Sequence, residues 1–260
     1  HCSTVAKDDK AIPFLKWAGG KSKLIKKIDG LFPQKFNNYF EPFLGGGAVF
    51  FYLNPLNAYL SDSNHELINA YVNIRDNPAK VIHFLKMYKR NMIKARDEDK
   101  DEAYYYHVRD TEKPGLQSLE RRTARTIFLN KTCYNGLYRI NSSGKFNVPY
   151  GRTAGGKLPE LVDKKLIKTC SKALNSKKIH VRDYYDILKF VKEKDFVYLD
   201  PPYHAPNKAS MYSKKIFDEN SHDRIAGFFK KLSEKGAFVM LNNSSTLKEL
   251  IPQSDNVRNL

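Results

Sequence analysis

The stretch YFEPFLGGGAVFFYL, residues 39 to 53, constrains this chain more than any other: a strand-forming run meets three consecutive glycines and restarts as an apolar helix. Glycine tolerates the backbone such a switch requires and lets the main chain approach a ligand closely. The pattern is not G-x-G-x-x-G, which disfavours a nicotinamide dinucleotide. A second strand, NAYLSD (57–62), ends on Asp62 and precedes a helix, ELINAYVNIR (66–75). Two strand-plus-helix units in succession predict the start of a parallel α/β sheet. Toward the other end, IHVRD (179–183), FVYLD (196–200) and FVMLN (238–242) are short apolar runs suited to a sheet covered on both faces. The segment HDRIAGFFKKLSEKG (222–236) is read as a helix closing on a glycine.

Between these ends the chain changes character. Val81, Leu85, Tyr88 and Met92 share one face of a helix over 76–95, and 102–109 and 118–132 also read as helical. YRINSSGKFNV (138–148) predicts two strands joined by a Ser-Gly turn, with another turn at Asn135-Gly136 just before it. The expected organisation is an α/β domain formed by 11–75 and 173–260, interrupted by a mostly helical insertion with a β-hairpin over 76–172.

The chemistry concentrates in a few places. FLKWAGGKSKL (14–24) resembles the end of a phosphate-cradling P-loop, but that loop needs a glycine where this chain has Leu15. D-P-P-Y (200–203) follows an apolar strand that its prolines terminate, so Asp200 and Tyr203 sit at a strand's carboxyl end, where open α/β sheets bind ligands. Asp62, also ending a strand, is suited to accepting hydrogen bonds from ribose hydroxyls or to capping the next helix. Lys and Arg number 45 against 28 Asp and Glu, and a surplus of 17 positive charges attracts polyanions. Nucleic acid is the leading partner, and aromatic side chains interleaved with basic ones can stack on bases. Cys2, Cys133 and Cys170 lack any zinc-binding spacing, so no metal is expected and the thiols are read as free, in a reducing compartment. No apolar run approaches the roughly 18 residues of a membrane span. The expectation is a soluble, cytoplasmic, DNA-associated monomer.

Taken in order, FLKWAGGKSKL, EPFLGGGAVFF, LSDSNHELINAY, NKTCYNGLYRINSSGKFNVPYG and DFVYLDPPY resemble the Dam-type DNA adenine-N6 methyltransferases, from about Ile12 to about Ser245. The resemblance implies a Rossmann-like, seven-stranded, S-adenosylmethionine-dependent methyltransferase sheet with a helical target-recognition insertion. It places Trp17, Gly19, Gly20, Lys21, Phe43, Gly45, Asp62, Asp183 and Asp200 at the cofactor, which leaves as S-adenosylhomocysteine. It assigns Asp200, Pro201 and Tyr203 to catalysis on a flipped-out adenine. It assigns Lys16, Tyr134, Asn135, Leu137, Arg139 and Pro149 to duplex DNA within GATC. Arg suits guanine independently of the resemblance, because its fork matches O6 and N7. Lys94, Arg121, Arg122 and Arg125 read as phosphate contacts or solvated helix faces. The alternatives are an N4-cytosine methyltransferase and a catalytically silent DNA-binding protein of the same fold. IPQSDNVRNL, at 251–260, matches nothing in the family pattern.

Overall fold

The computed structural model describes residues 10–17, 22–141, 143–152, 157–201, 219–242 and 257–259. In chain order the helices are α1 (Ser22–Ile28), α2 (Ala48–Leu53), α3 (His65–Asp76), α4 (Pro78–Asp97), α5 (Asp101–Tyr106), α6 (Leu119–Thr132), α7 (Lys164–Leu174) and α8 (Glu219–Glu234). The strands are β1 (Tyr39–Glu41), β2 (Ala58–Asp62), β3 (Lys178–Val181), β4 (Phe196–Leu199), β5 (Phe238–Leu241) and β6 (Val257–Asn259). The chain divides into two compact units: a sheet unit of 23–44, 55–63 and 176–260, and a helical unit of 1–22, 45–54 and 64–175.

In the sheet unit the order is β3-β2-β1-β4-β5-β6, and every pairing is parallel. Parallel strands need both faces covered, and the apolar runs provide for that. Phe40, Val197, Leu199, Val239 and Leu241 form one core with Tyr184, Ile187 and Val191 and with Ile225, Phe228, Phe229 and Leu232 of α8. Phe32 and Phe36 pack edge-on or tilted against Phe196 with Tyr39. Among the described strands β3 and β6 are the edges, and the exposed Lys178 of β3 discourages pairing with another chain. The family expectation of a seven-stranded sheet meets six strands among the described residues. One of them, β6, lies in the C-terminal segment that sequence reasoning left unplaced: Val257 aligns with Val239.

The helical unit is built on α6, whose residues from Thr123 to Asn130 are all buried. α4 begins with Pro78, whose missing N–H costs nothing at a helix start. It buries Val81, Ile82, Leu85, Tyr88 and Met92, and Tyr88 stacks on Phe128 of α6. Each such side chain contributes about 1.5–3 kcal/mol. Asn64, Ser118 and Asp163 cap α3, α6 and α7 by accepting a backbone N–H in the first turn. The expected hairpin is a narrow loop with a single bridge between Ile140 and Phe146. Asn141 shortens the ladder, because its side chain takes the Ser143 and Lys145 amides and competes with strand pairing at the tip, while the Asn147 N–H still reaches the Arg139 carbonyl at 3.1 Å.

Candidate functional site

Because all strands of the sheet unit run the same way, their carboxyl ends share one edge. The chain runs from β1 outward to β2 and β3, then returns to the other side of β1 as β4, so the order reverses between β1 and β4. Open α/β sheets bind ligands at that switch. Asp200 follows β4 there, half-buried, and Pro201 behind it is buried. Asn242, one residue past β5 and 6% exposed, donates its backbone N–H to the Leu199 carbonyl (2.8 Å) and its side-chain Nδ2 to Asp200 Oδ1 (3.0 Å). The Asp200 carboxylate is therefore held by the neighbouring strand. Beside it, Glu41 of β1 is 3% exposed and accepts the Tyr39 hydroxyl at 2.8 Å. Burial first, then the Glu41 carboxylate, holds the Tyr39 phenol well above its ordinary range.

The other strand ends carry the expected acids. Asp62 closes β2, half-buried, and its carbonyl accepts the Arg182 N–H at 3.0 Å. Asp183, beyond β3, caps the following turn through Tyr185 N (2.9 Å) and pairs with Arg224 of α8 at 2.8 Å. Arg224 also lies over the Tyr184 ring, 4.9 Å from its centroid. Phe43 stacks on Tyr184 at 5.0 Å, partly buried against the core.

A second group gathers in the helical unit. Trp17 stacks on Tyr138 at 4.8 Å and 24°. Gly45, at φ +46°, leaves no room for a side chain: a Cβ there would lie 2.8 Å from Trp17 Cδ1. After α6 the chain turns through Asn135 (φ 55°) and Gly136 (φ 63°), both left-handed. Tyr134 N–H donates to the Pro149 carbonyl (2.9 Å) and Gly151 N–H to the Thr132 carbonyl (2.9 Å), which close the loop at its base. Exposure then alternates from Asn135 on: Asn135, Leu137 (40% exposed) and Arg139 face solvent, as does Tyr134 (54%) before them, while Gly136 is buried and Tyr138 half-buried. Pro149 and Lys16 are exposed too. Asn147 accepts Arg139 Nε at 2.8 Å, which orients the guanidinium.

Of the other sequence-selected residues, Gly19, Gly20, Lys21 and Tyr203 lie outside the described residues. Three arginines read as phosphate contacts or solvated faces are internal ties instead. Arg125, buried, donates to the Val108 and Arg109 carbonyls of the wide turn His107–Thr111, where helical pairing is disturbed. Arg122 pairs closely with Glu66, and Arg121 with Glu112 at 3.4 Å. Sequence reasoning missed Glu41, Asn130 and Asn242. Asn242 left a usable signal: FVYLD and FVMLN are matching strands, and the register of Leu199 with Leu241 sets Asp200 beside Asn242.

A family profile described as D12 class N6 adenine-specific DNA methyltransferase matches residues 17–260. The type II methyltransferase M1.LlaDCHI of Lactococcus lactis subsp. cremoris is 40% identical over 242 residues, spanning 90% of this chain and 81% of the relative. M.MjaIII of Methanocaldococcus jannaschii, another type II methyltransferase, is 40% identical over 248 residues, 89% of this chain and 84% of its own. The DNA adenine methylase of Escherichia coli K12 is 31% identical over 244 residues, with 90% and 81% covered.

Proposed function

We propose a site chemistry and a target from one premise: the chain belongs to the D12 class N6 adenine-specific DNA methyltransferases. Its reaction is methylation of adenine N6 in DNA, and membership implies S-adenosylmethionine as the methyl source. When bound, that cofactor supplies an electrophilic methyl group on a sulfonium. The strand-end edge suits it: Asp62 offers an acceptor for ribose hydroxyls at the end of β2, and Phe43 offers a ring already fixed by Tyr184. Of the helical unit's residues, we assign Trp17 and Gly45 to the cofactor, as the resemblance does, together with Gly19, Gly20 and Lys21. Asp183 belongs to the same set, with its carboxylate already engaged by Arg224.

An exocyclic adenine amine is a poor nucleophile because its lone pair is delocalised into the ring. Asp200 and the Pro201 carbonyl accept its N–H groups, favour a pyramidal nitrogen and stabilise the positive charge that develops as the new N–C bond forms. We also assign Asp200 as the acceptor for the proton the methylated amine must release. Asn242, by gripping Oδ1, keeps the carboxylate from rotating away. Tyr203 is assigned to stack on the base. Within a duplex the amine lies in the stack, so the adenine is flipped out at a cost of a few kcal/mol.

The target we assign is GATC. Tyr134, Asn135, Leu137 and Arg139 are the outward members of the turn, and with Lys16 and Pro149 they form the reading set; residues 76–172 supply most of it. Exposed Tyr134 and Leu137 fit this role, since their apolar and aromatic surface is open to contact with bases. One observation carries the reading: Asp200 stands at the switch of strand order with its carboxylate held by Asn242. The test is incubation of unmethylated duplex DNA with labelled S-adenosylmethionine, nucleoside analysis and mapping of the modified site. N6-methyladenine in GATC is expected; methyl groups on cytosine N4, or on adenines without regard to sequence, would refute the chemistry or the target respectively.

A further inference from the structure

Asn130 belongs to α6, near its end, and is fully buried. Asparagine is a poor helix former and a buried amide must find partners, so an unremarkable packing position would favour a different residue. Here every polar atom of the side chain is used. Oδ1 accepts the Lys16 N–H at 2.8 Å, and Nδ2 donates to the Lys16 carbonyl at 2.9 Å and to the Gly136 carbonyl at 3.1 Å. The orientation is unambiguous, because turning the amide over would set donor against donor and oxygen against two carbonyls.

The Lys16 backbone is thus gripped from both sides by one side chain, much as a neighbouring strand would grip it. The same side chain holds the turn that carries Tyr134, Asn135, Leu137 and Arg139. Two further contacts join these segments. A Cβ on Gly136 would fall 2.3 Å from Lys16 Cδ, so the turn and the Lys16 side chain touch; one residue on, Trp17 stacks on Tyr138.

We infer that Asn130 is a positioning residue for sequence reading: it locks Lys16–Trp17 to the Gly136–Tyr138 turn, so that Lys16 and Arg139 meet the DNA as one rigid piece. The inference rests on the GATC reading for its consequence, and on the three bonds for its geometry. Asn130 touches neither cofactor nor base in this scheme.

The test uses Asn130→Ala in the full chain, with two readouts. The first is emission from Trp17, the chain's single tryptophan. Loss of the grip should shift it to the red and raise its quenching by acrylamide in a protein still folded by circular dichroism. The second is the ratio of methylation rates on GATC and on its single-base variants, which should fall by about tenfold. General destabilisation would lower both rates together and leave the ratio alone. If Asn130→Ala does not fold, Gly136→Ala presses on the same contact from the other side and should lower the ratio and shift the emission likewise. Unchanged Trp17 emission, or an unchanged ratio, in the folded variant overturns the inference. A wild-type enzyme that methylates adenines in all contexts alike would instead refute the GATC reading, and Trp17 emission alone would then judge the grip.

Discussion

The strand-end edge and the turn after α6 solve one problem, holding a few polar groups in fixed positions, by different means. At the edge, main-chain register does the work. β4 and β5 are locked side by side, so Asp200 and Asn242 meet because Leu199 and Leu241 are paired. In the turn the described residues form only isolated bridges, at Cys133–Tyr150 and Ile140–Phe146, and position comes largely from side chains: Asn130 on the backbone of Lys16 and Gly136, Asn141 on the amides of its own loop, Asn147 on the Arg139 guanidinium. A site set by register tolerates changes in the surrounding side chains, because ladder hydrogen bonds are indifferent to them. A site set by asparagines fails one residue at a time.

The largest effect that would break this contrast is at the edge itself. Asp200→Ala should lower turnover by about 10²–10³-fold or more, since it removes the acceptor aimed at the developing charge, while duplex binding persists. Asn242→Ala should lower turnover less, about tenfold, because the carboxylate remains and loses one charge-assisted bond. Single-turnover rates separate the two. If Asn242→Ala proves as damaging as Asp200→Ala, the edge depends on side chains as much as the turn does, and the contrast collapses.

Asp62→Ala comes next. The ribose hydroxyls lose a charged acceptor, which should weaken S-adenosylmethionine binding by about 1.5–3 kcal/mol, read by calorimetry. The strand should keep its register, since the Asp62 backbone is paired with β3 whatever its side chain. Unchanged affinity in a folded variant would leave the acid as no more than a feature of the loop before α3.

In the turn, Arg139→Ala should cost about 1–3 kcal/mol on GATC and less on sites altered at the guanine it contacts. Discrimination at that one base pair therefore relaxes. The dependence of binding on log salt tells whether the residue reads or merely positions, because loss of a phosphate contact weakens all sequences alike and shallows the slope by about one unit. Equal slowing on every site would reassign Arg139 to the backbone.

This contrast also separates what the sequence disclosed from what it concealed. Short, near-continuous apolar runs, several ended by Asp or Pro, announce parallel strands and their carboxyl ends, so β1 to β5 and the positions of the acids at 62, 183 and 200 were legible from pattern alone. α4 was legible too, because Val81, Leu85, Tyr88 and Met92 repeat with the helical period. β6 was not: three residues, one of them an arginine, carry no periodicity. Nor were the arginines of α6, whose charge suggested phosphate but whose partners are carbonyls and carboxylates of the same unit. Polar residues with long-range partners, such as Asn130 with Lys16, leave no local signature, because what fixes them is 114 residues away.

The smallest expected effect concerns thiols, and it asks whether the turn is separately labile. Cys133 and Cys170, both in the helical unit, are buried, and burial pushes their pKa values up to about 11 and about 12. At pH 8 a thiol with a pKa of about 11 is ionised to about one part in a thousand, and only the thiolate reacts, so neither should be alkylated from the closed state. Alkylation then reports opening, in which each thiol recovers an ordinary pKa near 8.5 and reacts faster as pH rises. Cys133 sits at the base of the loop, where a single bridge to Tyr150 and the bonds of Tyr134 and Gly151 hold it. Cys170 is inside α7, bonded to the Ile12 carbonyl at 3.2 Å and wholly buried. Opening the loop breaks fewer bonds than unpacking α7, so Cys133 should be labelled first under native conditions, read peptide by peptide by mass spectrometry. Labelling should also be slower when cognate DNA covers the turn. Equal rates at the two thiols would mean that the turn opens only with the whole helical unit, and that its asparagine ties are as strong as a packed core.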